Sequence, residues 1–335
     1  MANDTALQLQ INSVIELYSS GKITEALKIS EALIIMHPSE SLLFNISGVC
    51  YKAIGQLIDA VKNFERAVAI KPNFTDAHYN LGLTFQELNM LEAAVKSYEQ
   101  ALEIQPTYAI VHNNLGIVFK ELGQISDSIN AYEKAIVSQP DFTEAYNNLG
   151  NAYKENGQLD KAIKFYEKAI ILKPNFADAF NNIGIVLFER GQPNDAIEFY
   201  EKALEIEPSY AEAHNNIGNA YKNSGQLDAA VRSYETAIVF QFDYADAHYN
   251  LGLILQDLER FSEAIISYEA AIAIQSDYAD AYYNLGILFN DSGQLDLSIK
   301  NLQIAVSIEP KKTEAYMCLG NSFQENGQKN EAIKC

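Results

Sequence analysis

The sequence predicts an all-α protein built as a repeat solenoid of helix pairs. Three observations predict it. Gly48, Gly82, Gly116, Gly150, Gly184, Gly218, Gly252, Gly286 and Gly320 recur every 34 residues without insertion or deletion. Inside each interval apolar residues return at helical spacing in two separate blocks. Helix-ending signals divide the blocks, glycine after the first and proline after the second.

With the recurring glycine as position 8, the full units are 41–74, 75–108, 109–142, 143–176, 177–210, 211–244, 245–278 and 279–312. A weaker unit at 7–40 follows an N-terminal extension at 1–6, and a truncated unit occupies 313–335. Apolar residues at positions 4, 7, 8 and 11 define helix A, whose packed face admits a close neighbour at the glycine. A second glycine at position 15 (Gly55, Gly123, Gly157, Gly191, Gly225, Gly293) ends that helix in the left-handed conformation, and Asn89 and Glu259 are the exceptions. Helix B carries a small residue at position 20, an aromatic at 24 except Leu302, and alanine at 27 throughout. Proline at position 32 stops helix B in most units, with Phe242 and Ser276 departing from it. Pro193 falls at position 17, in the first turn of helix B, where no intrahelical N–H is required.

Composition narrows the function. The 335 residues are 48% apolar and 20% charged, with 24 Lys and Arg against 44 Asp and Glu. A net charge of −20 disfavours nucleic acid and anionic membrane surfaces and favours a neutral or cationic partner. Cys50, Cys318 and Cys335 form neither a disulfide framework nor a metal-ligand spacing. The start of the chain has no secretory signature and no stretch is apolar enough to span a bilayer, so a cytoplasmic location is expected.

The repeat absorbs the residues an enzyme would need. All 17 glycines stand at position 8 or 15, leaving no phosphate-cradling loop. His78, His112, His214 and His248 share position 4 with aromatics of other units and read as core-edge rings, while His37 suits the end of a B helix. Carboxylates recur at position 2 (Asp76, Glu144, Asp178, Glu212, Asp246, Asp280, Glu314) and at position 13 (Glu87, Glu121, Glu155, Glu189, Asp257, Asp291, Glu325, the first six an acidic rim), periodic where an acid–base pair would be unique. At position 2 favourable charge in the first turn of helix A is the plainer account. No catalytic, cofactor or metal residue is expected.

Positions 2, 5, 6, 9, 12 and 13 form the face of helix A left after 4, 7, 8 and 11 are buried. Asn80, Asn114, Asn148, Asn182, Asn216, Asn250 and Asn284 occupy position 6 in seven consecutive units. At position 5 stand Asn113, Asn147, Asn181 and Asn215, flanked by Tyr79, Tyr249 and Tyr283. Asparagine costs about 0.5–0.7 kcal/mol against alanine inside a helix, so the series calls for compensation. A primary amide can bracket the N–H and C=O of an extended peptide without reading its side chains. The alternative is that the amides tie neighbouring helices together and set the pitch of the stack.

With its 34-residue period, glycine at 8, small residue at 20, aromatic at 24, alanine at 27 and proline at 32, the chain resembles the tetratricopeptide repeat family from residue 7 onward. The resemblance implies a right-handed superhelix whose A helices line a concave groove. The position-6 row is similar to the asparagine row in the tetratricopeptide region of protein O-linked N-acetylglucosamine transferases, which holds peptides by their backbone, although Ile46 and Cys318 replace the amide at its ends. Lys120, Lys154 and Lys222 are too scattered to resemble the basic carboxylate clamp of related chaperone-binding proteins. The expected function is a non-catalytic scaffold for an extended, neutral or basic polypeptide. The alternative is the substrate-recruiting arm of a larger, glycosyltransferase-like enzyme. Because Cys335 falls inside helix B, further residues beyond it are expected, or a second copy packing on the uncovered end.

Overall fold

The computed structural model describes the backbone of residues 2–335 and the side chains from Ala6 onward. Its contacts divide into two compact units, Met1–Lys173 and Pro174–Cys335. The first contains α1 (Ala2–Ser19), α2 (Ile23–Met36), α3 (Ser41–Ala53), α4 (Leu57–Ile70), α5 (Thr75–Glu87), α6 (Leu91–Ile104), α7 (Ala109–Glu121), α8 (Ile125–Ser138), α9 (Thr143–Glu155) and α10 (Leu159–Leu172). The second contains α11 (Ala177–Glu189), α12 (Pro193–Ile206), α13 (Ala211–Asn223), α14 (Leu227–Phe240), α15 (Ala245–Asp257), α16 (Phe261–Ile274), α17 (Ala279–Asp291), α18 (Leu295–Ile308), α19 (Thr313–Glu325) and α20 (Lys329–Ala332). Both are α-solenoid stacks of helix pairs, odd-numbered helices being A and even-numbered B. In every full repeat helix A spans positions 1–13 and helix B positions 17–30, so the turns fall on the glycine and proline positions. The first A helix begins at Ala2, so residues 2–6 continue it, and Met1 lies outside the described residues.

These helices start without help from side-chain caps. Only Glu40, ahead of α3, accepts a cap hydrogen bond among the described helices, from Leu42 N at 3.2 Å. Helices of 13–14 residues are marginal in isolation, so packing must hold them. Their ends follow the sequence: position 15 is left-handed at Gly55, Gly123, Gly157, Gly191, Gly225 and Gly293, and Asn89 (φ 57°) and Glu259 (φ 58°) adopt the same conformation without a glycine. Pro193 opens α12 in its first turn.

Packing within a repeat centres on positions 8 and 24. Tyr98, Tyr132, Tyr166, Tyr200, Tyr234 and Tyr268 are fully buried, each lying flat on the glycine of its own helix A. A Cβ on Gly184 would sit 2.5 Å from Tyr200 Cε1, and one on Gly286 2.5 Å from Leu302 Cγ. No glycine stands at position 8 of the divergent first unit. Val14 takes its place, buried, and the position-24 residue shrinks to Ser30, whose hydroxyl bonds to Leu27 O and Ser47 Oγ at 2.8 Å. The volume lost from one helix is returned by the other.

The buried face of helix A is wider than positions 4, 7, 8 and 11. Position 3 (Ala77, Val111, Ala145, Ala179) and position 10 (Thr84, Val118, Ala152, Val186) are sealed as well. The position-4 histidines do more than fill the edge. His78, His112 and His214 bond through Nε2 to the carbonyls of Pro72, Pro106 and Pro208 at 2.8–2.9 Å, and His248 to that of Phe242 at 3.0 Å, latching the first turn of helix A to the turn before it. Burial holds the His112 imidazole below its ordinary pKa. Among the described residues no helix is long and apolar enough to cross a membrane.

Candidate protein-interaction surface

Neighbouring A helices touch directly within each unit, as α3 with α5, α7 with α9, α11 with α13 and α13 with α15. Their shared seam is polar. In the first unit Asn80 Nδ2 donates to Asn45 Oδ1 at 3.1 Å, Asn114 Nδ2 to Tyr79 Oη at 3.4 Å, and Asn148 Nδ2 to Asn113 Oδ1 at 3.0 Å. In the second, Asn216 donates to Asn181 at 3.1 Å, Asn250 to Asn215 at 3.0 Å and Asn284 to Tyr249 Oη at 3.2 Å. Every rung joins position 5 of one repeat to position 6 of the next. At the end of the series Cys318 lies 3.9 Å from Tyr283 Oη in the same register.

This arrangement corrects the expectation for position 5. Asn113, Asn147, Asn181 and Asn215 are buried, from 1 to 8% exposed, and are not part of the open face. The carboxamides of Asn113, Asn181 and Asn215, with that of Asn45, which the sequence pattern did not single out, belong to the seam between helices. Tyr79, Tyr249 and Tyr283 are half-buried beside them. Burying an amide oxygen without a donor would cost about 1–3 kcal/mol, and the next repeat's Asn supplies the donor. The position-6 amides, Asn182 among them, are half-buried. One N–H of each rung amide is committed, which leaves its second N–H and its oxygen. The oxygens of Asn80, Asn148, Asn216, Asn250 and Asn284 accept no bond from the described residues, and none is among the buried atoms lacking a partner, so each is open to solvent.

A second row runs two helical turns further along. Lys52 Nζ meets Glu87 at 2.6 Å, Gln86 donates to Glu121 at 3.3 Å, Lys120 meets Glu155 at 3.4 Å and Lys222 meets Asp257 at 3.9 Å, all from position 12 to position 13 of the next repeat. Much of the acidic rim is thereby compensated; Glu189 and Asp291 are exposed in the same position. Position 9 asparagines turn inward: Asn151 and Asn219 accept from the buried hydroxyls of Tyr166 and Tyr234 at 2.8 and 2.9 Å. Position 2 holds exposed carboxylates, some bonded to position 34 of their own repeat, as Asp246 to the Tyr278 hydroxyl at 2.9 Å and Asp280 to Lys312 Nζ. Among the described residues no His, Cys, Asp or Glu cluster is arranged to hold a metal.

The family model described as the Cilia and flagella-associated protein 70 C-terminal domain matches residues 134–335, more than half of the chain. Models described as TPR repeat match 50–89 and 85–123, and one described as Tetratricopeptide repeat matches 109–142. The chain belongs to the tetratricopeptide repeat family. No curated protein sequence matches it significantly. Among solved structures, a chain of the APC/C hetero-tetramer Cut9-Hcn1 is 17% identical with a TM-score of 0.61, over 89% of this chain and 58% of that one. Pseudomonas aeruginosa pilF is 22% identical with a TM-score of 0.54, over 60% and 92%. MamA is 31% identical with a TM-score of 0.45, over 50% and 97%. The two higher scores agree with the tetratricopeptide solenoid fold. As a tetratricopeptide repeat protein the chain is a protein-interaction scaffold, and its rungs and rim occupy the A-helix face of the repeat.

Proposed function

We propose that this protein is a non-catalytic scaffold that takes an extended polypeptide along its A helices, with the position-6 carboxamide oxygens accepting main-chain N–H groups. The observation that carries this reading is the recurrence, at Asn80, Asn148, Asn216, Asn250 and Asn284, of a half-buried amide held by its rung while its oxygen accepts no bond from the described residues. A pre-oriented acceptor gives up little conformational entropy on binding. Each such bond contributes about 0.5–1.5 kcal/mol net, so affinity has to come from several in a row. A backbone reader of this kind is indifferent to most guest side chains. The −20 net charge favours a neutral or basic guest over an acidic one.

A second reading has its own observation. The rung bonds themselves show that the asparagines stitch repeats together, and stitching could be their whole purpose. One experiment separates the two. A labelled neutral peptide of about twelve Gln, Ala and Pro residues, long enough to pass several repeats, is titrated with the full chain by fluorescence anisotropy. Changing Asn216, Asn250 and Asn284 to Ala removes oxygens and rungs together. Changing Asn181 and Asn215 to Ala breaks rungs but leaves the position-6 oxygens in place. Peptide capture predicts a loss of binding of about tenfold or more in the first variant and a smaller loss in the second. Equal losses, tracking equal falls in the unfolding midpoint, would leave stitching as the only role.

A further inference from the structure

The two units differ at position 2. In the first the carboxylate series is broken by Ile110 on α7, whereas in the second Asp178, Glu212, Asp246 and Asp280 follow one another on α11, α13, α15 and α17. Positions 2 and 6 lie one helical turn apart on the same face. The structure brings them together explicitly: Asn181 accepts from Asn216 at 3.1 Å while donating its own N–H to Glu212 at 3.3 Å. Asp246 holds the Tyr278 hydroxyl, whose ring lies 4.9 Å from Tyr249, the acceptor of the Asn284 rung. Only Asp280 of the four has a cation, Lys312; Asp178, Glu212 and Asp246 are exposed and make no ion pair among the described residues. Their field is felt nearby. The Tyr244 phenol is pushed up to about 12, first by burial and then by Glu212 and Asp246, and Tyr210 is raised by burial and then by Glu212 and Asp178.

Helices packed side by side lie about 8–10 Å apart. A polyproline II strand advances about 3.1 Å per residue with three residues per turn, so its same-side residues recur about every 9 Å. A β-strand does not fit this step: its same-side residues recur about every 6.6 Å, and its third residue faces the other way. The geometry points to a guest for the second unit that runs in polyproline II form with lysine or arginine at every third residue, the cations facing Asp178, Glu212 and Asp246 in turn. Half-buried Ile185 and Leu253 at position 9 offer the intervening side chains an aliphatic floor. This assignment rests on the peptide-binding reading of the A-helix face and adds the guest's charge pattern and step.

The test uses two labelled peptides of identical composition, one repeating Lys-Pro-Gln four times and the other carrying its four lysines side by side, titrated with the full chain by fluorescence anisotropy at low salt. The spaced peptide is expected to bind about tenfold more tightly. Replacing the carboxylates isosterically (Asp178→Asn, Glu212→Gln and Asp246→Asn together) keeps the acceptors for Tyr278 and Asn181, and is expected to abolish that difference with the unfolding midpoint unchanged. Equal affinities of the two peptides, or a preference surviving in the triple variant, would overturn the three-residue step. If the neutral peptide described above still binds in that case, backbone capture stands without it. If no peptide binds, both ideas fall together.

Discussion

Two seams hold each stack, and they are made differently. The seam inside a repeat, glycine at 8 against the ring at 24, is steric and nearly invariant, and its one large departure is compensated in volume by Val14 against Ser30. The seam between successive A helices is polar and tolerant, accepting Asn45, Tyr79, Asn113, Asn181, Asn215 or Tyr249 as the partner of an asparagine. Close-packed apolar surfaces cannot absorb an added methyl, whereas a hydrogen bond needs only an acceptor within reach. The rigid seam fixes the repeat, and the tolerant one leaves the oxygens of Asn80, Asn148, Asn216, Asn250 and Asn284 open to solvent.

The largest effect should follow from breaking the steric seam. Gly184→Val would drive carbon into the Tyr200 ring, and thermal or chemical denaturation should show a loss of about 3 kcal/mol or more. Combining it with Tyr200→Ser recreates the Val14–Ser30 arrangement. The double variant should lose at least about 1 kcal/mol less than the sum of the singles, and strict additivity would show that the two positions do not share one volume.

A smaller effect is expected at the polar seam, and it should depend on what is left behind. Asn148→Ala strands the buried oxygen of Asn113, at a cost of about 1–3 kcal/mol. Asn284→Ala strands the hydroxyl of half-buried Tyr249, which water can reach, and should cost about 1 kcal/mol or less. Equal losses in urea titrations would mean that rung chemistry is irrelevant to the seam.

The smallest change belongs to the outer row. Lys222→Gln removes a 3.9 Å pair whose side chains are 31% and 55% exposed, and the unfolding free energy should move by about 0.5 kcal/mol or less. A larger shift would make that row a structural brace and not a loosely compensated rim.

Much of this was legible in the sequence because it is local. Helix limits follow from Gly55 or Pro72 and their equivalents, and the close approach at Gly82 follows from the ring at Tyr98. The destination of the amides was not, since the atoms that meet across the A–A seam depend on how far one helix slides past the next. A signal was present nonetheless. Amides at adjacent positions 5 and 6, and Lys120 followed one repeat later by Glu155, both imply contacts 35 residues apart. The carbonyl latch of His78 and its equivalents had no such signal, because proline at 32 is explained by helix termination alone.

The rungs fix more than stability. Because each one pins residue i to residue i+35, successive A helices within a unit are held in one register, and the exposed oxygens with them. A peptide taken along this face as proposed would be discriminated by such a ruler through its cadence before any of its side chains is consulted.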